Sequence, residues 1–268
     1  MKRRHAIITG GSSGIGLEIA KLLLQEGYNV SIIARDSAKL QKAYEELLAL
    51  RPDPSLDVGQ FSSDVTDKAG IVATIRAAVE VAGPPDLLIT SAGVTRPGYF
   101  QELPTEIFEQ MMSVNYLGTV YTVKAVAPLM QDQGHGHIVM ISSGAGLVGI
   151  FGYSAYSPSK FAVRGFAESL RAELKVYGIT VAVVYPPDTD TVQLREELPY
   201  KPPETMAITG SASVLSAAKI AREIIGGIKR NRFSITPGAS MKILNLTHSL
   251  VNPVLRFYFD YLVKKTIK

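Results

Sequence analysis

The chain has 268 residues, of which 46% are hydrophobic and 19% charged, proportions that fit one folded α/β domain rather than a disordered chain. It contains no cysteine and only four scattered histidines, which excludes disulfides, thiolate metal sites and cysteine nucleophiles and argues against a zinc site. The net charge of +4 suits an anionic cofactor or membrane surface, but no arginine run interleaved with aromatic residues indicates a nucleic-acid partner.

The chain begins with a short basic segment, residues 1–4, followed by the first predicted strand, His5–Thr9. The apolar run is too short for a signal peptide, so we expect a cytoplasmic protein. The strand leads into a glycine-rich turn and then a helical pattern, a layout that binds phosphate, because glycine lets the backbone approach a pyrophosphate and a helix N-terminus attracts anions. The turn residues assigned to the cofactor are Gly10, Ser12, Ser13, Gly14, Ile15 and Gly16.

The second predicted strand, Asn29–Ala34, ends at Arg35. A chain that binds NAD is expected to place an acidic residue near this point for the ribose hydroxyls, whereas an arginine suits a 2′-phosphate. We therefore expect NADPH as the cofactor; the alternative is that Arg35 is a solvated loop charge. The adjacent Asp36 has a simpler role as the cap of the helix that follows.

The predicted strands 60–63 and Leu87–Thr90 both end in residues suited to a cofactor, and a helix over Lys68–Ala82 is predicted between them. A carboxylate at the first end can accept a hydrogen bond from an adenine amine. Small residues at the second end let a backbone lie against a cofactor, although they are also common in ordinary loops. The residues assigned to the cofactor here are Asp64, Val65, Ala92 and Gly93.

A helical region over residues 105–130 carries Asn115 among apolar neighbours. A buried amide without hydrogen bonds costs about 1 to 3 kcal/mol, so the side chain must be satisfied. Hydrogen bonds to the backbone and hydrogen bonds to a water relay explain this asparagine equally well.

Tyr156 and Lys160 lie four residues apart in a long predicted helix that ends near Gly178. This spacing puts both side chains on one helix face, one turn apart. There the ammonium would lower the pKa of the phenol from its ordinary value of about 10, as proton exchange at neutral pH requires. Ser143 ends the predicted strand 137–143, so its hydroxyl can point to the same place. A tyrosine and a lysine at this spacing are, by themselves, also common on solvated helix faces.

The predicted strand 180–185 stops at a proline-rich segment, because proline cannot continue a strand ladder. Positions 192–211 show little periodicity, and we expect a mobile substrate lid over 189–211. Asp188 or Asp190 would pair with a substrate ammonium or, just as simply, would turn and cap the loop. The residues of this segment assigned to the cofactor are Pro186, Thr189 and Thr191.

A helix over 216–229 and a strand over 233–236 complete the pattern. Six strands alternate with helices and a seventh follows, which predicts a single Rossmann-type, doubly wound α/β domain over 1–238 with a seven-stranded parallel sheet. The remaining segment, 239–268, is amphipathic and ends in lysines, but its uncharged interval is too short to span a bilayer. It would lie in a membrane interface or pack on its own domain or a partner chain.

With the glycine turn, Asn115, Ser143, Tyr156 and Lys160 in this order, residues 5–237 resemble the short-chain dehydrogenases/reductases. The resemblance implies that Tyr156 is the general acid and that Ser143 holds the substrate oxygen. It further implies that Lys160 holds the nicotinamide ribose and tunes Tyr156, while Asn115 anchors a proton relay. Such proteins commonly form dimers or tetramers through two long helices, which here lie near 105–130 and 153–177.

A narrower similarity, to the 3-ketodihydrosphingosine reductases, is carried by the sequence Pro-Pro-Asp-Thr-Asp-Thr at 186–191, by Lys-Pro-Pro-Glu-Thr at 201–205 and by residues 155–165. It implies NADPH-dependent reduction of a lipid-like 3-keto amine, with Ser143, Tyr156 and Asp188 at the substrate. The alternatives are reduction of another apolar ketone, such as a steroid or a fatty-acyl derivative, a nucleotide-binding scaffold without turnover, and a membrane-surface module built on 239–268.

Overall fold

In the computed structural model, which describes residues 3–210 and 214–266, seven parallel strands form the central sheet in the order β3-β2-β1-β4-β5-β6-β9. The predicted seven-stranded doubly wound sheet is confirmed. The strands of this sheet are β1 (His5–Thr9), β2 (Asn29–Ala34), β3 (Val58–Ser62), β4 (Leu87–Thr90), β5 (Gly136–Ile141), β6 (Ile179–Val184) and β9 (Ser234–Ile235).

Helices cover both faces of the sheet, with α1, α2 and α9 on one face and α3, α5 and α6 on the other. The helices of the described chain are α1 (Gly14–Gln25), α2 (Ser37–Leu50), α3 (Lys68–Ala82), α4 (Thr105–Met111), α5 (Gly118–Gln133), α6 (Tyr156–Lys175), α7 (Val192–Glu197), α8 (Pro203–Thr209), α9 (Ala217–Lys229) and α10 (Ala239–Thr266).

Strand β1 shows how the sequence produces two cores. Because successive side chains of a strand point to opposite faces, Ala6 and Ile8 pack with the layer of α1, α2 and α9, while Ile7 packs with the opposite layer. All three side chains are fully buried. Full burial of an isoleucine stabilises the fold by about 1.5 to 3 kcal/mol, so a strand that is apolar at every position belongs at the centre of such a sheet.

The chain order reverses beside β1, which pairs with β2 on one side and β4 on the other. At this switch point the connections leave toward opposite faces, so a crevice opens at the carboxyl ends of the strands. The turn after β1 and the turn after β4 border that crevice, and both carry residues that the sequence assigns to a cofactor.

Several element boundaries differ from the predicted ones. Strands β5 and β6 each begin one residue earlier than expected, and they end two residues and one residue earlier, respectively. Strand β3 begins two residues earlier than expected and ends one residue earlier. Strand β9 has only two residues, because Pro237 follows closely and cannot donate to a ladder. The long helical region is divided by a π-helical segment, Met112–Leu117, and continues to Gln133.

The segment predicted as a mobile lid, 189–211, forms regular elements in the part that the structure describes, although its sequence shows little periodicity; residue 211 lies outside that part. Its mobility remains a prediction. The segment contains strand β7 (Thr189–Asp190), which pairs with β8 (Leu215–Ser216), and then α7 and α8. Thr191 caps α7 by accepting a hydrogen bond from the Leu194 N–H at 3.3 Å. Pro203 stands in the first turn of α8, where proline is tolerated because its nitrogen needs no partner. Substrate contact by this segment remains a prediction.

Helix α10 extends through Pro253 and packs on α8. The predicted extension over 239–268 is thus one helix up to residue 266, and residues 267–268 lie outside the described chain. One side of α10 meets the domain and the other is exposed. No helix within 3–210 and 214–266 combines the length and the hydropathy that crossing a bilayer requires.

Candidate active site

A cavity of about 480 Å³ lies at the carboxyl ends of β1, β2, β4, β5 and β6. Except for Gly16, Asn115 and Asp190, every residue that the sequence assigns to the cofactor, to catalysis or to the substrate lines it. Asp190 instead pairs with Arg195 at 2.8 Å. The fold therefore brings separate sequence motifs together in one space. Their individual roles in binding remain predictions.

The turn after β1 forms a cradle of backbone atoms. Gly10 has φ of +69°, and a Cβ at this position would lie 2.6 Å from the Ala92 nitrogen, so only glycine fits. A Cβ at Gly16 would overlap the Gly10 carbonyl oxygen, which explains why Gly16 packs behind the cavity rather than lining it. Ser13 makes no side-chain cap of α1. The first N–H groups of that helix therefore fit a phosphate in the cavity.

Arg35 lies at the opposite end of the cradle, where its Nη1 donates to Asp64 Oδ2 at 3.3 Å. The arginine side chain is 69% exposed, so the guanidinium keeps free donors for an anion. Asp64 is oriented by the Thr66 N–H and hydroxyl, which donate to its Oδ1 at 2.9 and 2.7 Å. Lys39, which the sequence reasoning missed, also lines this end. The two cations suit a 2′-phosphate.

Asp36 caps α2, as the sequence predicted. Its Oδ1 accepts hydrogen bonds from the N–H groups of Ala38 and Lys39, each at 3.0 Å. The carboxylate is therefore engaged in holding the helix start, and its pKa is lowered chiefly by the Lys39 N–H.

Tyr156 is the first residue of α6, and a side-chain hydrogen bond joins it to Ser143, which follows β5. The Ser143 Oγ accepts from the Ala145 N–H at 3.1 Å. Because that contact uses an oxygen lone pair, the hydroxyl proton of Ser143 remains available for donation. Two hydroxyls from different elements therefore converge on one point of the cavity.

The protein's own groups raise the pKa of Tyr156 rather than lower it. Burial is the largest cause, the hydrogen bond from Ser143 opposes it, and the charges of Glu197 and Asp188 add to it. The expected lowering by Lys160 is therefore wrong. A phenol with a raised pKa stays protonated at neutral pH, which suits a proton donor.

Lys160 is bound to the backbone at the end of β5. Its Nζ donates to the Ile141 carbonyl at 3.1 Å and lies 5.7 Å from the centroid of the Tyr156 ring. Burial lowers the pKa of Lys160 to about 8. The ammonium is thus fixed at the end of β5, beside the space between Tyr156 and Gly93.

Asn115 stands in the π-helical segment, a distortion that often marks functional sites. Its Oδ1 accepts from the Val94 N–H at 2.8 Å, and its Nδ2 donates to the Val94 carbonyl at 3.0 Å and to Ser159 Oγ at 2.9 Å. The backbone therefore satisfies the amide, one of the two explanations that the sequence left open. Asn115 fixes the turn after β4, and its role in a proton relay remains a prediction.

Sequence reasoning missed several residues of the cavity wall. Tyr153 lies three residues before Tyr156, and the centroids of the two rings are 5.3 Å apart. The spacing could have predicted that Tyr153 lies in the cavity, because it places both tyrosines near the start of the same helix. Glu197 and three side chains of α10 gave no such signal, since only the tertiary fold brings them to the cavity. The α10 residues are Met241, Leu244 and Phe259.

The amino-acid sequence that forms this site matches a known protein family. The model of the short chain dehydrogenase family aligns with residues 4–201, which is most of the chain. The chain belongs to this family. It is accordingly an oxidoreductase, and the family's nicotinamide cofactor fits the phosphate cradle and the cation pair described above.

Similar proteins agree with this assignment. The 3-ketodihydrosphingosine reductase of Dictyostelium discoideum is 41% identical over 98% of this chain and 83% of its own length. The 3-dehydrosphinganine reductase of Danio rerio is 39% identical over 93% of this chain and 76% of its own. A short chain dehydrogenase/reductase from Burkholderia phymatum, solved in complex with NAD, superposes with a TM-score of 0.82 at 24% identity, covering 94% of this chain and 95% of that one. This last likeness establishes the fold.

Proposed function

We propose that the chain reduces the 3-keto group of 3-ketodihydrosphingosine to the alcohol with NADPH. The observation that carries the proposal is one cavity that joins the hydroxyls of Tyr156 and Ser143 to an apolar wall and to two carboxylates, the buried Glu197 and the partly exposed Asp188. The relatives named as reductases of this ketone support it. NADPH supplies the hydride to carbon 3 when it is bound.

The protein's part in the reaction is to hold the ketone and deliver one proton. Tyr156, kept protonated by its raised pKa, donates that proton to the ketone oxygen. Ser143 donates a hydrogen bond to the same oxygen while negative charge develops on it. Lys160 and Asn115 hold the backbone beside the reacting atoms in place, because each forms a hydrogen bond with it at the ends of β5 and β4, respectively.

The apolar wall supports a lipid-like substrate over a small polar ketone. It combines residues of the loop after β5, of α8 and of α10. These side chains are Val148, Ile150, Ile208, Met241, Leu244 and Phe259. An alkyl chain placed here gains about 0.8 kcal/mol for each buried methylene. Asp188, on the same wall, is proposed as a partner of the substrate ammonium.

Oxidation of NADPH by the purified chain, followed by absorbance with 3-ketodihydrosphingosine in mixed micelles, tests this proposal. We expect turnover that depends on the lipid. Turnover with a steroid or fatty-acyl ketone alone would reassign the substrate within the same chemistry. Binding of NADPH without turnover of any ketone would favour a scaffold.

Arg35 is proposed to select NADPH over NADH. Replacing it with alanine should raise KM for NADPH roughly 10- to 100-fold, the equivalent of about 1.5 to 3 kcal/mol for a lost charged hydrogen bond. KM for NADH should change little, because NADH lacks the 2′-phosphate. The matched control is Arg51→Ala, which removes an arginine beyond the end of α2. An equal loss with both cofactors would contradict the assignment.

An exposed apolar stripe on α10 supports docking on an anionic lipid surface. Two other apolar residues of this helix, Leu255 and Leu262, are partly buried. The stripe, which we call the α10 stripe, consists of Ile243, Leu246, Leu250, Val254, Phe257 and Tyr261. The described helix also carries four basic residues and one acidic residue, a balance that complements anionic headgroups.

Two substitutions in the α10 stripe test this docking. Leu246 and Leu250 are 81% and 83% exposed, so changing both to glutamate should spare folding and reduce flotation with phosphatidylserine vesicles severalfold. The control is Val176→Glu, which changes an equally exposed side chain beyond α6. Flotation of the double variant at the wild-type level would show that the stripe does not bind lipid.

A homo-oligomer is also proposed, with the contact at α5 and α6. Leu117 and Phe161 are large apolar side chains exposed beside and on these helices. A second copy of the chain would cover both, as expected for the helices that pair in this family.

A further inference from the structure

A compact cluster of charged side chains occupies the cavity wall beside Tyr156. Glu197 Oε1 accepts hydrogen bonds from Lys201 Nζ at 2.8 Å and from the Tyr153 hydroxyl at 3.0 Å. Lys201 Nζ also contacts Asp188 Oδ2 at 3.3 Å. The side chains of Glu197 and Lys201 are only 7% and 2% exposed. Glu197 and Lys201 are therefore held in place and largely removed from water, whereas the Asp188 side chain is 30% exposed.

The charges of this cluster do not balance. Two carboxylates share one ammonium, which leaves a formal charge of one negative. Glu197 is buried and shares its counter-ion, Lys201, with Asp188. A buried charge that is only partly neutralised is costly, and the neutral Tyr153 hydroxyl offsets only part of that cost. Glu197 Oε2 has no hydrogen-bond partner in the described parts of the chain. The cluster therefore has the capacity to bind one further cation.

The Glu197 carboxylate lines the same cavity as Tyr156, where the ketone is proposed to react. Glu197, Asp188, Tyr153 and Tyr156 line the same cavity, and the rings of the two tyrosines are 5.3 Å apart between centroids. The charge of Glu197 also helps to raise the pKa of the Tyr156 hydroxyl. The other acidic residues that line the cavity, Asp36 and Asp64, lie at the Arg35 end.

We infer that Glu197 is a specificity-determining residue that binds the ammonium of an amino ketone, with Asp188 as the second carboxylate and Lys201 as the cation that positions both. The inference rests on the proposed function. In such a ketone the amine sits on the carbon next to the carbonyl. When the carbonyl oxygen meets Tyr156, the ammonium is only a few bonds away and must find a carboxylate.

This role also explains the buried lysine of the segment 201–205. Lys201 links α7 to the turn at Asp188, because it forms ion pairs with both Glu197 and Asp188. Thr205 anchors α8 by donating to the Phe151 carbonyl at 2.8 Å. The segment thus holds the Glu197 carboxylate at a fixed place on the wall.

Glu197→Gln tests the inference with two substrates, 3-ketodihydrosphingosine and its des-amino analogue, in which hydrogen replaces the ammonium. We expect kcat/KM for the amine substrate to fall about 10- to 100-fold more than kcat/KM for the analogue, as for loss of a charged hydrogen bond. Any effect of the Glu197 charge on the pKa of Tyr156 is common to both substrates. The control is Glu196→Gln, which removes the same charge from the neighbouring, 68% exposed position. Equal losses for both substrates would overturn the inference and leave the proposed function standing.

A measurement on the wild-type chain covers the case in which the variant does not fold. A long-chain primary amine should inhibit reduction of the des-amino analogue at least 10-fold more strongly than the alcohol of equal length, because only the amine carries the cation. Equal inhibition would overturn the ammonium site. Failure of the wild type to reduce either ketone would instead refute the proposed function.

Discussion

Tyr156→Phe is expected to lower kcat for ketone reduction by about 10²- to 10⁴-fold, the usual contribution of a positioned general acid. The substitution removes the proton donor and keeps the ring, which packs against Tyr153 at the start of α6. Binding of NADPH should remain close to wild type, because the phosphate cradle and Arg35 are untouched.

Stopped-flow oxidation of NADPH measures the chemical step, and quenching of nicotinamide fluorescence measures binding. The matched control is Tyr177→Phe, which removes a phenol hydroxyl from an exposed position after α6. Full activity in the Tyr156 variant would mean that another group protonates the ketone, or that reduction is not the function of the cavity.

Ser143→Ala should reduce kcat by about 10²- to 10³-fold, as for loss of one donor to a developing oxyanion. A second effect is expected on the pKa of Tyr156. Burial raises this pKa, and the hydrogen bond from Ser143 lowers it. Without that bond the pKa rises further. Reduction needs the protonated phenol and is lost as pH increases through this pKa, so the alkaline decline of the residual activity should move to higher pH.

The pH dependence of kcat in the wild type and the Ser143 variant measures both effects. Ser143→Thr keeps the hydroxyl and should restore a large part of the rate, whereas Ser169→Ala changes a serine on α6 outside the cavity and should have no effect. A decline that moves to lower pH, or a rate that stays within a fewfold of wild type, would show that Ser143 does not donate to the ketone oxygen.

The sheet and most of the site were predictable from the sequence because their signals are local. The apolar strand His5–Thr9, the glycine turn after it and the spacing of Tyr156 and Lys160 each depend on neighbouring residues. Strand ends in a parallel sheet meet at one edge, so Arg35 and Ser143 could be placed there without coordinates.

What the sequence did not reveal depends on long-range contacts or on electrostatics. Glu197 is one of several charges in a segment without clear periodicity, and only burial against Tyr153 and Lys201 distinguishes it from Glu196. The same holds for Phe259, more than a hundred residues after Tyr156. The effect of Lys160 was misjudged because spacing along a helix does not tell which backbone carbonyl captures an ammonium.

Transfer of deuterium tests the central proposal most directly. The wild-type chain is given NADPH labelled with deuterium at the reactive carbon of the nicotinamide, together with 3-ketodihydrosphingosine, and the lipid product is analysed by mass spectrometry. The proposed chemistry predicts dihydrosphingosine with one deuterium on carbon 3 for each NADPH consumed. Consumption of NADPH without labelled product, or bound NADPH with no turnover of this ketone, would contradict it.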